Sequence, residues 1–435
     1  MLFRSSAAEV IVQGALAVWL SFWVTAFFFK VYSIKLIAVI GILAALGVFY
    51  AVFCIFKRAP RDTGVHGELV SATDAPALWA HIRDMASRAG TAPPDHIVTG
   101  IDTNFFVTQA PLTVSGQEIK GRSLFISLPL LRVLDRQEAD AVLAHELAHF
   151  SGGDTASSAA LGPKLVQYAH YSEMMRSSGM TFIAHFLLRL YRVIFEFALK
   201  RDSREREFLA DRTSAGLVSA QGIVTSLIKI SAYARYRGET EQALFAQDSR
   251  HAGELGIAAR VASGLAPYAE SARFLEAMRD SAIPHPFDSH PPLAERMQNV
   301  GHTVGEQDYS AIVTRAPEAT WIPDIPTADS IEQRLWGVYE QQFAAAHEQQ
   351  LAYRYRPATD EERALVLKYF PPVEFALRGG KRVGISIDGI SLPEHTEPVS
   401  WDAVTNLQHE DAMGSDKLTI THSEKGWLEI GRAHV

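Results

Sequence analysis

Hydrophobic and polar positions follow three different patterns along this chain, and each predicts a different kind of element. Near the start there is no alternation at all: Val10 to Phe29 is an uncharged run of 20 residues, and Leu36 to Phe56 is another of 21. At 1.5 Å per residue each predicts a helix of about 30 Å, the thickness of a bilayer core. Aromatic residues crowd the first run (Trp19, Phe22, Trp23, Phe27, Phe28, Phe29), and Tyr50 lies near the end of the second. A cleaved signal peptide has a shorter apolar core and is not followed so closely by a second one. The expectation is a transmembrane helical hairpin over residues 1–62. Lys30 and Lys35 fall in its turn, whereas Arg4, Lys57, Arg58 and Arg61 flank its ends. That bias places both ends in the cytoplasm. The chain is then a multi-pass protein of the cytoplasmic (inner) membrane, with the lipid bilayer as one partner and its remaining domains in the cytosol.

The second pattern has helical spacing. Gln137 to Phe150 carries acidic residues in its early turn and apolar residues along the rest, the marks of a buried helix. Ser151-Gly152-Gly153 supplies its stop. Further on, Phe182, Ile183, Phe186, Leu187, Leu190 and Val193 form a broad apolar face, with Arg189, Arg192, Glu196 and Lys200 on a narrow polar stripe. Four charges argue against a clean span there. An amphipathic helix at the membrane surface, or one covering the core, fits equally. Short strands are expected at Thr103–Val107 and Ser123–Ser127, giving residues 63–300 a mostly helical make-up with a small sheet. Residues 301–372 form a helical extension, with Thr327 to Phe370 polar and Pro323, Pro326, Pro371 and Pro372 marking boundaries.

After Pro372 the pattern alternates with period two: Val383 to Leu392, Val399 to Trp401 and Leu418 to Thr421, separated by Asp-Gly and Gly-Ser turns. Residues 373–428 are therefore a β-rich module. Its final segment, Glu429 to Val435, reads as one frame of a common sequencing adapter. The natural sequence is expected to stop near Leu428, with the module cut short and His434 removed from any metal argument.

Composition narrows the chemistry. The net charge is −8 with no basic tract, so a nucleic-acid partner is not expected. The single cysteine, Cys54, lies inside the second apolar run, which leaves no disulfide framework and no thiolate metal site. The chemistry sits in Leu143-Ala144-His145-Glu146-Leu147-Ala148-His149-Phe150. On a helix His145 and His149 share one face and can grip one metal ion, and Glu146 stands about 100° round, beside the metal. His-Glu-x-x-His on a helix is the zinc metallopeptidase signature. Two histidines in an otherwise apolar buried helix are costly unless they are used, although satisfied core histidines are the alternative. Zinc requires a third protein ligand and keeps a position for water. The best candidate lies in Ser203 to Asp211, where Glu207 and Asp211 share a helix face and Ala210, Ser214 and Ala215 permit close packing.

These residues resemble the HtpX-like and CAAX-prenyl-endopeptidase group of membrane zinc metallopeptidases. That pattern pairs His-Glu-x-x-His with a later Ser-Arg-x-x-Glu-x-x-Ala-Asp, and the chain matches every fixed position of both. The resemblance implies an α+β zincin-like catalytic domain of the gluzincin type, binding one Zn2+ per chain through His145, His149 and Glu207. Asp211 would then orient a ligand histidine. It further implies that Asn104, on an edge strand, holds a peptide substrate, although the family has Ala where Phe105 follows. Asp154 matches an acidic position that would brace the site, and a solvated helix-terminal Asp fits it as well. Asp288-Ser289-His290-Pro291-Pro292 resembles the family's His-Pro segment, in which His290 would stabilise an oxyanion. The C-terminal module weakly resembles pleckstrin-homology-like β-domains of bacterial membrane proteins.

The expected protein is a mainly α membrane protein: a zinc endopeptidase acting on peptide or protein substrates, membrane proteins among them. Glu146 would be its general base on a zinc-activated water. Quality control or processing of membrane proteins is the expected setting, and nothing selects prenylated substrates. The alternatives are a membrane-anchored sensor or adaptor with a non-proteolytic zinc site, and a zinc hydrolase acting on something other than peptides.

Overall fold

The computed structural model of the chain describes residues 2–28, 34–56, 64–152, 154–177, 182–248, 250, 255–280, 291–354, 357–376, 382–392, 397–412, 415–422 and 427–433. The two apolar runs form helices α1 (Leu2–Phe28) and α2 (Ile34–Phe56), packed against each other. Their large side chains face outward, with Phe27, Ile34 and Phe49 exposed by 70% or more. Among the described residues, one stretch of helix, Ile37–Cys54, is long and apolar enough to cross a membrane; α1 contributes a shorter one, Val10–Val24.

A four-stranded sheet follows. It is built from β2 (Gly67–Leu69), β3 (His96–Gly100), β4 (Phe106–Thr108) and β7 (Ser123–Ser127), in the order β2-β3-β7-β4. Strands β3 and β7 run parallel, whereas β2 on β3 and β4 on β7 are antiparallel. Strand β7 is buried along its whole length, as befits a central strand, and β4 is left as an edge. Phe106 pairs with Phe125, and their rings stack 4.8 Å apart. The edge strand sits slightly later than its sequence suggests: Asn104 lies in a bend just before it, and pairing begins at Phe106. Gly100 is required where it stands, because a Cβ there would lie 2.3 Å from the Phe125 ring. A small second sheet of β1 (Gly64–Val65), β5 (Leu112–Val114) and β6 (Gln117–Ile119) closes one end through a Ser115-Gly116 turn, where both residues have positive φ. Helix α3 (Pro76–Arg88) connects β2 to β3.

Past the short α4 (Leu128–Val133), the chain enters α5 (Arg136–Ser151), which carries the histidine pair. Asp135 is its N-cap, and the Asp135 amide donates to Glu138 Oε2 at 2.8 Å, half of a capping box. Leu143, Ala144 and Leu147 are completely buried, each leucine contributing about 1.5–3 kcal/mol. The helix stops at Ser151, as the glycine pair after it predicts. Helices α6 (Asp154–Ser177) and α7 (Phe182–Leu217) then form an antiparallel pair in which the buried His185 donates from Nδ1 to the Ser172 carbonyl at 2.9 Å. Tyr168, Tyr171 and Met175 of α6 pack with Val10 and Cys54, so this pair lies against the N-terminal helices.

Helix α7 joins two stretches read separately from the sequence: the amphipathic segment near residues 182–200 and the segment carrying Glu207 form a single 36-residue helix. The joining residues, Phe197 to Ser203, contain neither glycine nor proline, so nothing ends it.

Helices α8 (Ala220–Phe245), α9 (Ile257–Ala269), α10 (Ala272–Asp280), α11 (Leu293–Val300) and α12 (Glu306–Thr314) follow; α8 packs directly on α5, and α9, α11 and α12 pack on α8. The helical extension folds its first part into the same core. Trp321 is fully buried and donates its indole N–H to Asp140 of α5, while Ile331, Leu335 and Trp336 of α13 (Ala328–Arg354) join the main apolar cluster. Helix α14 (Asp360–Tyr369) packs on the far end of α13.

Among the described residues the C-terminal module is mostly β, as its alternation predicts, with one short 3-10 turn at Trp401–Ala403. Strands β8 (Val373–Ala376), β9 (Arg382–Ser386), β10 (Gly389–Ser391) and β11 (Val399–Ser400) form one antiparallel meander, and β12 (Val404–Ala412), β13 (Ser415–His422) and β14 (Trp427–Ala433) form another. The Asp388-Gly389 turn joins β9 to β10, and a Cβ on Gly389 would lie 2.2 Å from the Val399 carbonyl oxygen. Val383, Ile390 and Val399 share a small core with Ile420. The residues read as a sequencing scar, from Glu429 on, supply most of β14.

Candidate metal centre

Helix α5 presents His145 and His149 one turn apart, with ring centroids separated by 4.9 Å. Helix α7 crosses beside it, drawn close by small residues. Ala210 and Ser214 are buried at the crossing, and the Ser214 hydroxyl donates to the Ala141 carbonyl at 2.6 Å. Ala215, expected to belong to the same contact, is only half-buried. The crossing brings Glu207 to the histidines. His145 Nε2 and His149 Nε2 are 3.3 Å apart; His145 Nε2 lies 3.6 Å from Glu207 Oε2, and His149 Nε2 lies 3.6 Å from Glu207 Oε1.

Those three separations test the fit of a metal. Ligands held tetrahedrally at 2.0–2.1 Å from a common ion stand about 3.3–3.4 Å from one another. The two imidazole nitrogens stand at that spacing, 3.3 Å, and the two Glu207 oxygens face one histidine each at 3.6 Å. One ligand atom from each residue lies within 4.8 Å of the others, so the three side chains can close on one ion.

Asp211 is fully buried one helical turn beyond Glu207, its Oδ1 3.0 Å from His145 Nδ1. The distance suits a hydrogen bond but the direction does not, and Nδ1 has no aligned acceptor. Asp211 has a second partner that its sequence neighbourhood does not reveal. Arg296 of α11 donates from Nε and one Nη to both Asp211 oxygens, at 2.8 and 2.6 Å, and passes 3.8 Å from Glu207. Helix α11 is bound to α7 on either side of this pair, through Arg204 with Glu295 and through Asn299 Nδ2 on the Phe208 carbonyl.

Burial alone would raise the Asp211 pKa, but the Arg296 and His145 contacts override it and hold the carboxyl below its ordinary value. For His145 burial alone would lower the pKa; the Asp211 and Glu207 carboxylates overcome it and push the imidazole up to about 9. The anionic pocket is thus built to hold positive charge.

Glu146 is half-buried and lines a cleft of about 370 Å³ together with His145, Asn104, Phe105 and Arg296. Of the other residues singled out by sequence, Asp154 is the first residue of α6, and His290 lies outside the described residues, immediately before Pro291 at the cleft edge. No role for Arg296 was read from the sequence. Its link to Asp211, 85 residues away, has no local sequence signal.

The model of peptidase family M48 matches residues 77–304, more than half of the chain. The chain belongs to peptidase family M48. That family hydrolyses peptide bonds at a metal, and the recognition made from the two motifs stands. A protease HtpX homolog of Pelotomaculum thermopropionicum is 27% identical over 250 residues, covering 53% of this chain and 77% of that protein. An HtpX homolog of Thermococcus kodakarensis is 28% identical over 187 residues, covering 40% and 62%. Protease HtpX of Haemophilus influenzae is 32% identical over 164 residues, covering 33% and 55%. The M48 match includes the three clustered side chains, Asp211, Arg296 and Asn104, and stops before α12.

Proposed function

We propose that this M48 chain is a membrane-anchored zinc endopeptidase whose ligands are His145, His149 and Glu207 and whose general base is Glu146. One observation carries the reading: two imidazole nitrogens and a carboxylate gathered close enough to share one ion, beside a cleft that Glu146 lines. A structural zinc site closes four protein ligands round the ion; three is the catalytic number. Absence of thiolates and the borderline-soft donor set favour zinc among divalent metals. Zinc held there lowers the pKa of a water molecule to about 7 and polarises a carbonyl.

The remaining work falls to the chain. Glu146 accepts the proton of the attacking water and delivers it to the departing amine. Asp211, itself held by Arg296, orients His145 so that Nε2 faces the ligand position. An extended substrate adds to the free edge of β4, with Asn104 at the start of that edge anchoring its backbone. His290 would stabilise the oxyanion, and Asp154, opening α6 after α5, would brace the base of the site.

The outward-facing apolar surface of α1 and α2 supports anchoring in a bilayer as a transmembrane hairpin in the inner membrane, with the catalytic domain on the cytoplasmic side. Proteins in or near that membrane are then the substrates, in quality control or processing. The β-rich module is read as a pleckstrin-homology-like binding unit.

The test uses the full chain in detergent, with casein as substrate and metal content measured alongside. Cleavage should stop with a chelator and return with zinc. Glu146→Gln should stop cleavage while zinc stays bound, and a Glu146→Gln variant that still cleaves removes the assignment of the base.

A further inference from the structure

Asn104 stands in a bend that the sheet itself does not hold. Strand β3 lies between β2 and β7, and its pairing ends at Gly100 on both sides, with Gly67 and Ser127. The chain then crosses the end of β7, over residues 101–105, and pairs again as β4 on the far side of that strand. A backbone leaving a ladder has carbonyls that need new partners. Two consecutive ones find them in side chains. The Ser127 hydroxyl donates to the Asp102 carbonyl at 2.5 Å, and Arg237 of α8 donates from Nη1 to the Ile101 carbonyl. After the bend Phe105 is buried, its ring 6.4 Å from that of Trp321, and Asn104 between these anchors is exposed.

Arg237 is only 5% exposed, and a guanidinium stays charged, so burial requires that its donors and faces be occupied. Nε donates to Glu241 Oε1, one turn on along α8, at 2.7 Å. The two rings over it belong to α13: the guanidinium carbon lies 4.6 Å from the centre of the Trp336 ring and 5.1 Å from that of Tyr339. Trp336 has no hydrogen-bond acceptor for its buried indole N–H among the described residues, so its ring is what it offers. Helix α13 is fastened in turn to the sheet and to α9. Arg334 pairs with both Glu68 oxygens on β2 at 3.0 and 2.7 Å, and Glu340 accepts from the Gly256 and Ile257 amides. All of α13 lies beyond residue 304, where the M48 match ends.

We infer that Arg237 is a positioning residue for substrate: held between α8 and the two rings of α13, it fixes the Ile101 carbonyl and so the bend that presents Asn104 and the β4 edge. Helix α13 is then part of the substrate-binding apparatus although it lies outside the matched segment. Ile101, Glu241, Trp336 and Tyr339, the partners of Arg237, include no metal ligand, so its loss acts on substrate affinity and leaves zinc in place. Lysine has one nitrogen on a flexible stem and cannot serve Glu241 and the Ile101 carbonyl together while lying flat under two rings. Arg237→Lys should therefore raise KM about 10-fold, the worth of one charge-assisted hydrogen bond, with kcat within about twofold.

The inference rests on the reading of Asn104 and the β4 edge as the substrate's anchor, and the experiment separates the two. The full zinc-loaded chain in detergent cleaves a fluorogenic peptide spanning a bond that it cuts in casein. KM, kcat and zinc content are measured for Asn104→Ala, Arg237→Lys and the double variant. Both single variants should raise KM with zinc retained, and Arg237→Lys should raise it clearly less on the Asn104→Ala background than on the parent. Trp336→Leu should raise KM as Arg237→Lys does, and Trp336→Phe, which keeps a ring face, should recover most of that loss. If Asn104→Ala raises KM but Arg237→Lys leaves it within twofold, or the two effects multiply in full, the inference falls and the anchor stands. A loss shared between kcat and zinc content would make Arg237 merely structural and overturn it too. An unchanged KM in Asn104→Ala removes the reading of the anchor, and the inference with it; a chain that cuts no bond in casein removes both. Should Arg237→Lys fail to fold, the Trp336 pair decides, and equal KM values for Leu and Phe overturn the inference.

Discussion

Replacing Lys229 with methionine should destabilise the start of the active-site helix more than any surface change could. Lys229 is fully buried in α8, where Nζ donates to Glu138 Oε2 at 2.8 Å and to the Val133 carbonyl at 3.0 Å. Glu138 is 2% exposed, and its Oε2 also accepts from the Asp135 amide that begins α5. Methionine fills the same space but leaves the carboxylate with that amide and with Arg315, whose Nη2 is 3.4 Å from Oε1. Removing one partner of a buried ion pair costs about 3–5 kcal/mol, and the two surviving contacts put this case near 3. For a core of this size that is a fall in Tm of about 6–12 °C. The double variant Lys229→Met, Glu138→Gln removes both charges, keeps an acceptor for the Asp135 amide, and should recover about 2 kcal/mol or more of the loss. The assay is thermal unfolding of the zinc-loaded chain in detergent, at one scan rate for all variants. A single variant within 2 °C of the parent, or a double variant as unstable as the sum of its parts, would refute the argument. Glu138 lies seven residues, about two turns, before His145 on α5. Zinc affinity should therefore weaken in the single variant and recover in the double.

Other expectations follow from the same contacts. Asp211→Asn should weaken zinc binding about 10- to 100-fold, measured by competition with a metal-sensitive dye, because His145 loses the carboxylate that orients it. Arg296→Lys keeps the charge but not the two-pronged contact, so it should also weaken zinc binding; unchanged affinity would make Arg296 a purely structural residue. Metal-free protein should lose stability as pH rises. The His145 pKa is raised to about 9 in the fold against an ordinary 6.5, so its contribution is complete below pH 6.5 and disappears as pH climbs through 9. The loss should be about 3 kcal/mol at most and absent from the zinc-loaded form, and a metal-free Tm that is flat from pH 6.5 to 9 would contradict it.

Local pattern foretold the parts of this molecule that depend on neighbours in sequence. The histidine pair, the stop after Ser151 and the Asp388-Gly389 turn each need only a few consecutive residues to be read. Glu207 was found because Asp211 stands one turn away and the spacing matched a known pattern. Contacts between distant segments were not legible: Arg296 reaching Asp211, Lys229 reaching Glu138, and Trp321 reaching Asp140 link residues 85, 91 and 181 positions apart. Arginine and lysine near a helix middle look like a solvated face until packing encloses them. That the amphipathic stretch and the Glu207 stretch form one helix was not read from the sequence, although backbone hydrogen bonding continues through the change from apolar to charged composition without a breaker.

That continuity makes α7 a ruler. Its first turn packs against α6, where His185 meets Ser172, and Glu207 lies 25 residues beyond Phe182, about 38 Å at helical rise. A helix neither stretches nor shortens appreciably, so the cluster of His145, His149 and Glu207 keeps a set distance along α7 from that contact. If α1 and α2 lie in a bilayer as proposed and α7 leads away from it, a peptide bond tethered to that bilayer would be reachable only if enough unfolded chain lies between. Fully extended chain covers about 3.3–3.6 Å per residue, so roughly 11 residues must be free to span that distance. Distance from the membrane would then select among bonds before any side chain is tested.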